Sequence, residues 1–170
     1  MKKTLWITQT AVLTALLVLL QSITKAGGQF VTGSCVNAVL AVAVLFAGLW
    51  SGVTVAAVSP FFAFLLGIGP QLLPIVPAIA MGNLAYVLLW HFLFGKQLWR
   101  QGSSLLLAAA GKFVVLYLLV VQLLCRILPL AEKQVTTFTA MFSWPQLVTA
   151  LIGGGIALLI VPILRKAFRR

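Results

Sequence analysis

Long apolar runs, broken by short stretches of glycine, proline and charge, make up almost the whole of this chain. The runs read as six helices, at about 5–23, 35–49, 53–66, 77–94, 104–128 and 144–164. Between the first two, the segment 24–34 (TKAGGQFVTGS) carries three glycines and reads as a flexible loop. The second and third helices are short for a bilayer, which takes ~20 apolar residues, and need tilt or a thinned membrane to cross it. Pro60 is expected to kink the third helix, because it lacks an N–H and clashes with the preceding turn. Gly67, Gly69, Pro70, Pro74 and Pro77 make a rigid loop before the fourth helix. Ser143 is placed to cap the sixth, with Pro145 in its first turn.

Composition decides what solvent these helices meet. Of 170 residues, 62% are hydrophobic and 8% charged, with a mean hydropathy of +1.16. A soluble domain carries about a quarter charged residues, so the solvent is lipid and the fold class is an all-α integral membrane protein, one domain spanning 1–170. The first run lacks a small-residue cleavage site and reads as a retained helix rather than a signal peptide. Cys35 and Cys125 show no metal or redox spacing and read as small buried hydrophobes.

The charge of +11 matters through its positions. Six helices with both termini inside put Lys2, Lys3, Lys96, Arg100, Arg165, Lys166, Arg169 and Arg170 on the cytoplasmic side. Lys25 and Lys133, with Arg126 near a helix end, fall outside, which matches the positive-inside rule. No basic surface domain is left over to hold nucleic acid. The elaborate loops at 24–34, 67–77 and 129–143 then face outward and the tight turns inward, so a site would open outward.

Enzyme chemistry lacks its parts. Glu132 is the single acid and His91 the single histidine, which supplies neither a catalytic constellation nor a metal site, and no cofactor is implied. No carboxylate lies within a span to couple protons or sodium. No phosphate-cradling GxxxxGK[ST] is present, so any ATP-driven step belongs to another chain.

Polar positions inside the runs mark the candidates for binding. Asn83, Tyr86 and Trp90 fall on one stripe of the fourth helix, either lining a pocket or bonding a neighbouring helix. In the fifth, Lys112, Gln122 and Arg126 lie on roughly one side, since 14 residues is nearly four turns. Arg126, one turn above Gln122, is placed to meet a carboxylate or phosphate, whereas Lys112 either reaches a ligand or snorkels inward. Small residues mark helix contacts: Ala11 and Ala15 in the first helix, and Ala150, Gly153, Gly154 and Gly155 in the sixth.

With these features together, the chain resembles the substrate-binding S components of energy-coupling factor (ECF) vitamin transporters. The whole architecture carries the resemblance, along with the AxxxA of Ala11 to Ala15 and the pattern of outward loops. It implies that Ala11 and Ala15 dock on a transmembrane coupling (T) subunit, and that Gly28, Gln29 and Phe30 belong to a gating loop. It also implies that Gln71 lies in the second outer loop, and that Asn83, Tyr86, Trp144 and Gln146 line the pocket. The implied function is high-affinity capture of a vitamin or precursor, with toppling in the bilayer driven by two partner ATPases. Lys25, Arg126 and Lys112 favour an anion or neutral heterocycle over a cation such as thiamine. Pantothenate, a nicotinate- or folate-like acid, a queuosine precursor and an aromatic amino acid are all compatible. The rival reading from a different class is a structural scaffold, such as an MreD-like morphogenesis subunit, in which Asn83, Gln122 and Arg126 are interhelical glue. A self-sufficient facilitator is the third, disfavoured by the lack of an inverted repeat.

Overall fold

The computed structural model describes residues 3–168, and among them there are helices and turns but no strand. Helix α1 (Lys3–Thr24) meets α2 (Gly28–Val42) through a single 3-10 turn, Lys25–Gly27, and α2 runs on as π-helix over Ala43–Ala47. Then come α3 (Leu49–Leu65), α4 (Ile75–Leu93) and α5 (Leu98–Leu116), the last continued as π-helix Tyr117–Leu124 and a final turn Cys125–Ile127. A short α6 (Glu132–Met141) precedes α7 (Trp144–Ala167).

The long helices close into a ring. Going round it, α1 packs on α2, α2 on α7, α7 on α5, α5 on α4, α4 on α3, and α3 back on α1. The main core fills one half of the ring with Leu17, Leu40, Val55, Val87, Trp90 and Ala157 among others. A smaller apolar cluster lies at the α6 end, where Phe138 and Phe142 pack on Ile75, Ala78, Leu116 and Val120. The outside of the ring is apolar too, with Leu19, Phe62, Met81, Leu98, Leu159 and Ile163 all exposed. Among the described residues, four helical stretches are long and apolar enough to cross a membrane, the first being Lys3–Ala47, folded back at Gly28, while Leu49–Leu65 is a shorter apolar helix. An apolar exterior on such helices is the mark of a multi-pass membrane protein.

Several expected boundaries move. The stretch 24–34 is helical from Gly28, whose φ of 76° lies in the left-handed region open to glycine and turns α1 directly into α2. Gly33 serves contact instead of flexibility, since an added Cβ would sit 3.0 Å from the Thr149 side chain. The segment 129–143, expected as a loop, contains α6, and Ser143 places no cap on α7: its hydroxyl donates to the Ala140 carbonyl, 3.3 Å away. Helix α3 continues on both sides of the buried Pro60. Lys2, Arg169 and Arg170, assigned to the cytoplasmic side, lie outside the described residues.

Gly153 and Gly154 of α7 are packing residues within the chain, whereas a Cβ on Gly155 would meet nothing within 4 Å. A Cβ on Gly153 would lie 2.5 Å from the Ser34 carbonyl oxygen and 2.6 Å from Asn37 Cβ, so α7 and α2 touch nearly backbone to backbone.

Candidate functional site

Inside the ring, toward the α6 end, is a cavity of about 230 Å³ to which all six long helices contribute. Its walls are mostly apolar, including Val36, Pro60, Phe64, Val76, Ile79 and Leu116. Its polar residues gather in two places.

The deeper group centres on Lys112, only 3% exposed. Its ammonium donates to Asn37 Oδ1 at 2.6 Å and to Asn83 Oδ1 at 2.7 Å, which ties α5 to α2 and α4. Asn37 is itself oriented, because its Nδ2 donates to Thr149 Oγ1 at 3.3 Å and leaves the oxygen for the lysine. The Tyr86 ring centroid lies 5.7 Å from the Lys112 nitrogen, a cation–π contact from behind. Tyr86 is held there by its hydroxyl, which donates to the Ala150 carbonyl at 3.0 Å, and by an edge-on contact with Trp90. All three members of the fourth-helix stripe are thus buried, but only Asn83 lines the cavity.

The second group forms the mouth. The side-chain amides of Gln29 and Gln146, from the first turns of α2 and α7, both donate to the Met141 carbonyl, the latter at 3.1 Å. Lys25 reaches across to the Gly67 carbonyl at 2.7 Å and so links the α1–α2 turn to the α3–α4 loop. Two further polar groups on the wall, Gln21 Oε1 and Ser59 Oγ, are buried without a hydrogen-bond partner.

The remaining candidates sit elsewhere. Phe30 and Trp144 stack on each other at 5.6 Å, exposed and outside the cavity lining. Gln71 is exposed and reaches only the Gly69 carbonyl, 3.4 Å away. Gln122 donates to the Tyr117 hydroxyl at 2.9 Å, and Arg126 is exposed. Neither shares a side with Lys112, because the intervening Tyr117–Leu124 is π-helix. Its i→i+5 turns each consume about one residue more than an α turn and rotate everything beyond them. Asn37, Gln21 and Ser59 escaped the sequence reading, although each is a polar residue inside an apolar run, which in a membrane helix is a functional signal by itself.

On the outer side of the ring, Ala11 and Ala15 are exposed and line an open groove with Trp6, Thr14, Val18 and, from α3, Phe62. Thr10 Oγ1 and Ser51 Oγ share a 2.8 Å hydrogen bond beneath it, fixing α1 against α3. No group of three His, Cys, Asp or Glu side chains able to hold a metal occurs among the described residues.

Compared with known families, residues 6–165 match the one described as ECF transporter, substrate-specific component. The chain belongs to that family. No curated protein and no solved structure matches it. As an S component it is a transporter's substrate-binding subunit.

Proposed function

We propose that this S component captures a vitamin or related small molecule from outside the bacterial plasma membrane and delivers it through a T subunit driven by two ATPases. The chain itself hydrolyses no ATP. In this reading six helices, α1 to α5 and α7, cross the bilayer with both termini cytoplasmic, and the α6 end of the ring faces outward. Gln29, Asn83 and Gln146 contact the substrate, and the groove over Ala11 and Ala15 receives the T subunit.

The observation that carries the reading is the cavity: a closed ring of membrane helices keeps a polar-floored space at one end, where apolar packing would otherwise fill it. A scaffold would have no use for Gln21 and Ser59 as orphaned polar groups on a cavity wall, since each costs stability and binds no neighbour.

The test is a thermal-shift screen of the detergent-purified protein against vitamins, their precursors and aromatic amino acids. A ligand at 100 times its dissociation constant stabilises by ~2.7 kcal/mol, a shift that is readily seen. A compound that shifts the folded protein names the substrate; a folded protein that responds to nothing in a broad panel sinks the reading.

A further inference from the structure

Lys112 is the chemically unbalanced part of the molecule. A buried ammonium is expensive unless an anion lies beside it. The chain has one acidic side chain, Glu132, and that lies exposed on α6. Both hydrogen-bond partners of the ammonium are neutral amide oxygens, Asn37 Oδ1 and Asn83 Oδ1. They orient the lysine without cancelling its charge. An ammonium has three donors; two are used, and the residue lines the cavity. Behind it stands the Tyr86 ring, itself tied to the α7 backbone, so the lysine is braced from the protein side while one donor remains for the cavity. A charge held by two neutral amide oxygens and an aromatic ring, with no acidic side chain beside it among the described residues, fits a site whose counter-ion arrives with the ligand.

We infer that the substrate is a compact organic anion of a single negative charge, such as a carboxylate, which pairs with Lys112 between Asn37 and Asn83. Gln21 and Ser59, unpartnered on the same cavity wall, bond a neutral polar group elsewhere on that molecule. One buried cation sets the charge at one: the other lining cation, Lys25, is exposed at the rim and engaged with Gly67. The cavity of about 230 Å³ lies below the roughly 300–1,000 Å³ of pockets for drug-sized ligands, which sets the size. The inference rests on the proposed substrate-binding role and narrows it.

The experiment needs no guess at the ligand. The probe is the small-molecule ultrafiltrate of yeast extract, tested by thermal shift on the purified protein before and after passage over strong anion- and cation-exchange resins. The stabilising activity should vanish after the anion exchanger, survive the cation exchanger and return in the salt eluate. Asn83→Asp supplies a carboxylate from within the protein and should abolish the response while the unliganded protein melts no lower than wild type. Lys112→Met should require on the order of a hundredfold more of the eluate, or fail to respond, as expected when one partner of a buried charge pair is lost. Activity that passes unretained through the anion exchanger overturns the inference and leaves the binding role standing. So does an undiminished response in Asn83→Asp, which tests the charge even where Lys112→Met does not fold. A wild-type protein that ignores the untreated filtrate removes the binding role, and this inference with it.

Discussion

Helix α1 borders two concavities at once, both mostly apolar but different in their polar groups. Its buried Gln21 faces the cavity inside the ring, while Ala11 and Ala15, on the exposed side, line the groove with Thr14 and Val18. In the cavity the polar groups are an ammonium and amides held at fixed hydrogen-bond distances, so recognition at the proposed site would be electrostatic and directional. Among the described residues, no charged side chain lines the groove. In lipid, where apolar burial contributes little between helices, such a surface binds by close approach of small residues. In the proposed reading, what the protein carries and what it docks on are separated by chemistry as well as by position.

The strongest test of that separation is to fill the groove and leave the cavity alone. Ala11→Trp together with Ala15→Trp should abolish cellular uptake while ligand-induced stabilisation of the purified protein stays at the wild-type level. Retained uptake would end the docking assignment. The reverse perturbation is Asn83→Ala, which takes away one of the two acceptors that fix Lys112. Substrate binding should weaken by ~1–3 kcal/mol in a titration, and an unchanged affinity would return Asn83 to a structural role. Gly153→Ala acts one layer further out, because the new methyl group meets the Ser34 carbonyl and Asn37 Cβ. Melting should fall by the equivalent of roughly 1–2 kcal/mol, and affinity should drop with it as Asn37 is displaced. A melting temperature equal to wild type would mean that α2 and α7 are free to part. The smallest effect is expected at Arg126, whose replacement by alanine should change affinity by less than about 0.5 kcal/mol, as at other exposed positions. A larger loss would bring the end of α5 back into the site.

The membrane character and the helices themselves could be read from composition and apolar run length, since lipid leaves the backbone few other solutions. The site was legible one residue at a time. Asn83 stood out as an amide in an apolar helix, and Lys112 as a cation with no partner in its own segment. Whether that lysine faced inward depended on Asn37, on a helix whose start was hidden by the glycines before it. Glycine in 24–34 signals flexibility when read locally, but Gly28 makes a turn and Gly33 a contact that only α7 explains. The pairing of Lys112 with Arg126 failed for a different reason. It extrapolated an α-helical period through Tyr117–Leu124, and no residue type in that apolar stretch announces π winding. Helix α6 was missed because ten residues rich in threonine look like a loop until Phe138 finds its apolar neighbours.

The Met141 carbonyl gives the mouth its mechanics. Met141 ends α6, and the one oxygen accepts from Gln29 and from Gln146, so two helices are pinned to a third at a single atom. Displacing that one oxygen would cost both amide contacts, so the ends of α2, α6 and α7 are tied together at the mouth. For the proposed substrate-binding role, entry and release would then be governed at the α6 carbonyl, apart from the polar groups around Lys112.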